Sequence, residues 1–164
     1  MRVLGIDPGT SVTGYGVVEY GNGASGVSGG GRFGHLVECG VIRFARHASL
    51  PRRLAELHEG IVDLIERHHP TALALEDAFY HKNVHTTLVL GHARGVVLLA
   101  AEQHRLDIAQ YAPKMVKKTV AGVGGAPKAQ VGAMVARLLR LKHAPRPADA
   151  ADGVAVALTY IIRS

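Results

Sequence analysis

Apolar residues along the chain follow two spacings, one typical of strands and one typical of helices. Short apolar runs bounded by turn residues predict strands. Longer stretches with apolar residues three and four apart predict helices. The predicted strands cover residues 2–6, 12–19, 36–44, 71–75 and 106–111, and the predicted helices cover 49–70, 85–104, 113–120, 128–141 and 147–163. Strands followed repeatedly by helices are typical of an α/β fold with a mixed sheet.

A glycine-rich segment interrupts this pattern between the second and third strands. Seven of the fifteen residues in 21–35 are glycine. Such a composition contributes little to a core and indicates a flexible loop at the tip of a long hairpin. The remaining length suits one domain, so we expect a single domain over residues 1–164 with this loop inside it.

Charge is distributed unevenly. The chain has 19 Lys and Arg against 13 Asp and Glu, and no acidic residue occurs between Ile108 and Ala148. A field of this sign attracts a polyanion such as a nucleic acid backbone. The alternative is a solvated helical face, although such faces usually mix both signs. The basic residues of this stretch, here named the basic segment, are Lys114, Lys117, Lys118, Lys128, Arg137, Arg140, Lys142 and Arg146.

Two features bear on location and assembly. The longest apolar run, 95–101, is too short to span a membrane, so we expect a cytoplasmic protein. In the second predicted helix, Gly91 and Gly95 lie four residues apart and permit close approach of another element. That element is either the chain's own sheet or a second copy of the chain.

Four carboxylates occupy positions that favour a shared site. Asp7 and Glu76 come at the ends of predicted strands, where side chains can converge on one sheet edge. Asp149 and Asp152 lie three apart in the first turn of the last helix and share one face. Acids in a first turn also complement the helix dipole without any further role.

Four acids brought together repel one another unless cations occupy the site. Carboxylate oxygens suit Mg²⁺ or Mn²⁺ rather than zinc. Incomplete ligation by the protein leaves room for water and phosphate oxygens, which is the arrangement used in two-metal phosphodiester hydrolysis.

Three blocks resemble the active-site blocks of the RuvC family. They are Leu4-Gly5-Ile6-Asp7-Pro8-Gly9-Thr10, then Glu76, then Ala148-Asp149-Ala150-Ala151-Asp152-Gly153. The stretches 116–122 and 128–131 are similar to the family's basic segment. The resemblance covers nearly the whole chain, with 21–35 as an apparent insertion.

This resemblance implies an RNase H-like fold and a homodimer that nicks four-way DNA (Holliday) junctions symmetrically in recombination and repair. It also implies two Mg²⁺ or Mn²⁺ ions per active site, a preference for a T-rich core sequence, and association with RuvA and RuvB. Carried over residue by residue, the metal ligands are Asp7, Glu76, Asp149 and Asp152, and the DNA-contacting residues are Phe79, Lys117 and Lys128. From the charge of the basic segment, we expect Lys114 and Lys118 to contact DNA as well. Lys117 and Lys128 would lie beside the scissile phosphate, and Phe79 would meet unstacked bases.

Three other functions fit parts of the sequence. Actin-like ATPases also place an aspartate and a glycine turn after the first strand, but they need two lobes and this chain has length for one. A junction-binding protein without nuclease activity would keep the basic segment but would not need all four acids. A small RNase H-like nuclease acting on RNA remains an alternative.

Overall fold

The computed structural model describes residues 1–21, 33–45, 47–78 and 82–164. Within them lie five strands and five helices, and each begins within one residue of its predicted start or directly after its predicted N-cap. The strands are β1 (Arg2–Asp7), β2 (Val12–Glu19), β3 (His35–Arg43), β4 (Ala72–Glu76) and β5 (Asp107–Tyr111). The helices are α1 (Leu50–His68), α2 (Val84–Gln103), α3 (Pro113–Ala121), α4 (Lys128–Leu138) and α5 (Ala148–Arg163).

The strands form one mixed sheet in the order β3-β2-β1-β4-β5. β1, β2 and β3 pair antiparallel, whereas β1, β4 and β5 pair parallel. The predicted mixed sheet is therefore confirmed. Because β1 and β4 run in the same direction, their carboxyl ends lie at the same edge of the sheet. Their register pairs Ile6 with Leu75, which brings the next residues, Asp7 and Glu76, side by side.

Alternation along the strands assigns every second residue to one of two cores. Val3 and Ala74 pack with α3, α4 and α5 on one face of the sheet. Leu4 and Leu75 pack with α1 and α2 on the other face. The same alternation places Asp7 and Glu76 on the face that α5 covers.

Glycines let α5 lie directly on β1 and β2. A Cβ atom added at Gly5 would be 2.2 Å from the Gly153 carbonyl oxygen, and one at Gly14 would be 1.8 Å from the Asp149 carbonyl oxygen. Side chains at these positions would push the helix away from the sheet. Close packing here holds the first turn of α5 beside the ends of β1 and β4.

Two predicted segments differ from the structure or lie outside it. α4 ends at Leu138 instead of 141, because Arg140 adopts a left-handed conformation (φ 53°) and the Leu141 N–H donates to the Ala136 carbonyl. The chain turns there instead of continuing the helix.

The antiparallel pairing of β2 with β3 confirms that the glycine-rich segment joins the two strands of a hairpin. Its residues 22–32 lie outside the described residues.

Helix α2 is more apolar than the sequence pattern suggested. Among the described residues it is the one helix with the length and composition to cross a membrane, because apolar residues continue on both sides of Arg94. The expectation that no segment reaches that length is therefore wrong for α2. Its Ala93, Val97 and Ala100 are buried in the core against α1 and the sheet, as in a packed helix of a globular domain.

Candidate active site

Two carboxylates meet at the ends of β1 and β4. Asp7 and Glu76 are the last residues of these two paired strands, and both side chains line the same cavity. The pKa of Asp7 is raised well above its usual value, first by burial, then by the hydrogen bond to Glu76 and by the negative charges of Glu76 and Asp152. The negative charge gathered around Asp7 therefore favours binding of a cation.

A third carboxylate approaches from α5. Asp152 is mostly buried and accepts a hydrogen bond from Lys128 Nζ at 2.8 Å. This bond is the main cause of a raised Lys128 pKa, and Asp7 and Asp149 contribute through their charge. Lys128 thus partly offsets the negative charge of the acids.

These groups line one cavity of about 190 Å³ at the sheet edge. Its walls combine acids from β1, β4 and α5 with lysines from α3 and α4, so it offers both cation ligands and phosphate-binding groups. The lining residues are Asp7, Glu76, Pro113, Val116, Lys117, Lys128, Val131, Asp152 and Ala155.

Asp149 does not line this cavity. It lies half-buried in the first turn of α5, with its carbonyl oxygen against Gly14. A step of three residues turns a helix by about 300°, so the Asp149 side chain points about 60° away from that of Asp152. Asp152 is followed three residues later by Ala155, which does line the cavity.

The acids do not form a ready-made metal cage. No group of three or more His, Cys, Asp or Glu side chains within residues 1–21, 33–45, 47–78 and 82–164 is arranged to hold a metal ion. On one side of the site, the Asp152 carboxylate is bonded to Lys128. The structure thus brings three of the four predicted acids to one cavity, with the fourth nearby.

The predicted DNA-contacting residues fall into three groups. Lys117 and Lys128 line the cavity, whereas Lys114 and Lys118 are exposed on α3. Phe79 lies outside the described residues. Among the described residues, no carboxylate forms an ion pair with any member of the basic segment except Lys128. The other members of the segment are therefore available to bind phosphates.

One buried ion pair next to the site was not predicted. Asp77 directly follows Glu76 and is only 6% exposed, and its carboxylate pairs with Arg94 of α2. A single arginine in an otherwise apolar helix was the sequence signal. Pairing it with Asp77 required knowledge of how α2 packs on the sheet.

Comparisons with known proteins identify the family of this chain. The sequence profile of the family described as crossover junction endodeoxyribonuclease RuvC matches residues 3–160. The RuvC of Halorhodospira halophila is 46% identical over 159 residues, covering 97% of this chain and 89% of that protein. The RuvC of Pelotomaculum thermopropionicum is 45% identical over 160 residues, covering 98% of this chain and 92% of that protein.

Solved structures show the same fold. The structure described as T. thermophilus RuvC in complex with Holliday junction substrate superposes with a TM-score of 0.88 at 33% identity, covering 99% of this chain and 94% of that chain. The yeast mitochondrial Holliday junction resolvase Ydc2, at 17% identity and a TM-score of 0.67, shares the fold. The RNase H-like fold implied by the sequence motifs is confirmed. The chain belongs to the RuvC family of crossover junction endodeoxyribonucleases.

Proposed function

We propose that this chain is a single nuclease domain that resolves four-way DNA junctions by nicking two strands symmetrically, in recombination and repair. The observation that carries the proposal is the cavity that joins Asp7, Glu76 and Asp152 to Lys117 and Lys128. Acids suited to cations and lysines suited to phosphate meet there beside an unpaired basic surface. The family membership supports the same activity.

The donor set fits divalent metal ions, on which RuvC family nucleases depend. Burial and the charges of Glu76 and Asp152 raise the pKa of Asp7, which marks an excess of negative charge at the site. We propose that Asp7, Glu76 and Asp152 hold two Mg²⁺ or Mn²⁺ ions, with Asp149 as a further ligand. The chemistry that ions bound there would supply is activation of water for attack on phosphorus and stabilisation of the departing oxygen.

The chain's own residues orient the DNA. Lys117 and Lys128 reach the cavity from α3 and α4, where their ammonium groups can bind the oxygens of the phosphate to be cut. Lys114 and Lys118 extend this contact along the backbone outside the cavity. Phosphate contacts of this kind fix the position of the duplex without reading its sequence. From its place in the family pattern, we propose that Phe79 stacks on unstacked bases at the junction centre.

A second copy of the chain is the partner proposed for α2. An exposed apolar stripe runs along this helix, with Val84, Leu88 and Leu99 exposed at 73%, 59% and 53%. Gly91 and Gly95 lie on the same stripe, and a Cβ atom added to either would meet nothing within 4 Å. These glycines therefore do not serve packing on the chain's own sheet. Two such helices can approach closely and form a symmetric dimer, which would present two active sites to one junction.

Association with RuvA and RuvB and a cytoplasmic location complete the proposal. Both follow from the family, whose members are DNA-processing proteins.

The test is cleavage of a synthetic four-way junction beside a linear duplex of matched sequence, with Mg²⁺, with Mn²⁺ and with neither. We expect symmetric nicks in the junction only, and only with metal. Asp7→Asn should abolish cutting and leave junction binding intact, because it removes a ligand charge and keeps the basic surface. Substantial cutting by this variant at saturating Mg²⁺ would refute the role of Asp7.

The same assay separates the alternatives. A binding protein without nuclease activity would shift the junction in a gel and cut nothing with either metal. A nuclease directed at RNA would cut a matched RNA duplex or RNA–DNA hybrid in preference to the junction.

A further inference from the structure

Asp77 lies one residue beyond the proposed ligand Glu76, on the opposite side of the sheet. Strand alternation places Glu76 on the face covered by α5 and Asp77 on the face covered by α2. The Asp77 N–H donates to the Tyr111 carbonyl at 2.8 Å, so the pairing of β4 with β5 continues past Glu76. Any shift of Asp77 therefore moves the backbone that carries Glu76.

Arg94 holds this strand end from the other side. Its Nη2 atom lies 2.6 Å from Asp77 Oδ1 and donates to Gln110 Oε1 at 2.5 Å. Gln110 lies on β5, on the same face of the sheet as Asp77. One guanidinium thus connects α2 to two neighbouring parallel strands. Of the described residues, only Arg94 is paired with the Asp77 carboxylate.

Arg94 also lies directly behind the two acids. A small pocket is lined by Arg94 on one side and by Asp7 and Glu76 on the others. The guanidinium and the two acids are therefore neighbours at this end of the sheet.

We infer that Asp77 and Arg94 are positioning residues that hold Glu76 in the orientation needed to bind a divalent cation. The inference rests on the proposed function, in which Glu76 is a ligand. A buried carboxylate that loses its cation is left unpaired and must move toward water. Such a movement of Asp77 disturbs the end of β4. Partners that orient metal ligands typically alter metal affinity by about 10-fold to 100-fold when they are replaced.

The test measures Mn²⁺ affinity by calorimetry on the protein without DNA, together with the melting temperature. Asp77→Asn and Arg94→Gln should each weaken Mn²⁺ binding by about 10-fold or more. The double variant Asp77→Asn/Arg94→Gln should regain part of that affinity, because two neutral amides can pair and no buried charge is left alone.

Arg67→Gln is the matched control. Arg67 also bonds two carboxylates, Glu38 and Asp63, but it lies on α1 away from the cavity. The Arg67→Gln variant should have a lower melting temperature and an unchanged Mn²⁺ affinity. If Arg94→Gln has no effect on Mn²⁺ affinity beyond that of Arg67→Gln, the pair is only stabilising and the inference is overturned.

Two further variants keep the result interpretable. If Arg94→Gln does not fold, Arg94→Lys retains the charge but cannot reach both Asp77 and Gln110, and it should still weaken Mn²⁺ binding several-fold. Full Mn²⁺ affinity in Arg94→Lys would overturn the inference.

Glu76→Gln tests the proposed function itself. If Glu76→Gln binds Mn²⁺ and cuts junctions normally, both proposals fail. If it loses both and Arg94→Gln loses neither, only the positioning role fails.

Discussion

Two carboxylates in this chain behave in opposite ways because of their neighbours. Burial raises the pKa of Asp7, and the neighbouring acids Glu76 and Asp152 raise it further. Glu38 on β3 accepts hydrogen bonds from Arg67, Tyr15 and His68, and these lower its pKa to about 2 despite partial burial. The first environment favours binding of a cation from solution. The charge of Glu38 is already balanced by side chains of the protein itself. Its hydrogen bonds stabilise the fold, because they connect β2 and β3 to the end of α1.

Glu38→Gln should therefore lower stability in a pH-dependent way. The folded-state pKa lies below the ordinary value of 4.5, so the charge contributes stability above about pH 4.5. That contribution is lost as pH falls through the folded-state value of about 2. We expect the variant to be about 1–3 kcal/mol less stable at pH 7, with the difference from the unsubstituted protein shrinking between pH 4.5 and 2. Urea unfolding at a series of pH values measures it.

Glu59→Gln provides the comparison. Glu59 is exposed on α1, and no described residue forms an ion pair with it. It should leave the free energy of unfolding nearly unchanged at every pH. An effect of Glu38→Gln that is equal at pH 2.5 and pH 7 would show that lost packing, not lost charge, is responsible.

At the scale of elements, the sequence predicts most of what forms the site. Asp7 and Glu76 could be placed because an apolar run followed by a turn defines a strand end. Asp152 could be placed because Pro147 favours a helix start just before it. Which of Asp149 and Asp152 faces the cavity could not be predicted, because that depends on how α5 lies on β2.

The contact between Asp77 and Arg94 shows the same limit. Each residue is visible in the sequence, but the contact joins elements whose packing angle is set by the whole core. The end of α4 was also missed, because Leu139 and Leu141 continue the apolar spacing while the backbone turns at Arg140. Local patterns predict where elements form, and tertiary packing decides where some of them end.

Gly14→Ala tests how far the docking of α5 controls the site. The added Cβ would be 1.8 Å from the Asp149 carbonyl oxygen, so the first turn of α5 must move. We expect a loss of about 1–3 kcal/mol in stability. Junction cleavage should fall further than this loss explains at a temperature where the variant stays folded, because Asp152 moves with the turn. Thermal unfolding and single-turnover cleavage measure the two effects.

Gly125→Ala is the control for the stability measurement. A Cβ atom at Gly125 would meet nothing within 4 Å. Its melting temperature should stay close to that of the unsubstituted protein. If Gly14→Ala melts at the same temperature and cuts at the same rate, the packing of α5 on β2 does not control the site.

At the scale of the whole molecule, the two proposed binding surfaces lie on opposite faces of the sheet. Helices α3 and α4, which carry most of the basic segment, share a core with α5. Helix α2, with its apolar stripe, shares a core with α1 on the other face. DNA binding and dimer formation therefore do not compete for the same surface.

Leu88→Glu should convert the proposed dimer into monomers. Leu88 lies in the middle of the exposed stripe, where a charge facing its own symmetry mate cannot be solvated. Sedimentation velocity should show the monomer mass with the melting curve still cooperative. Val123→Glu is the matched control, because Val123 is also 58% exposed but lies in the turn between α3 and α4. A dimer that survives Leu88→Glu would exclude this stripe as the interface.

The basic segment predicts a steep dependence of junction affinity on salt. Its exposed lysines and arginines, apart from Lys128, have no ion-pair partner among the described residues, so DNA binding should release counterions from the phosphates that they contact. A plot of log affinity against log salt concentration has a negative slope, and each phosphate contact makes that slope steeper by about 0.9. The double variant Arg137→Gln/Arg140→Gln should therefore make the slope shallower by up to about 2. Arg52→Gln/Arg105→Gln removes the same charge from the α1 and α2 side and should change the slope little. Equal slopes for both double variants would show that total charge, and not the basic segment, governs binding.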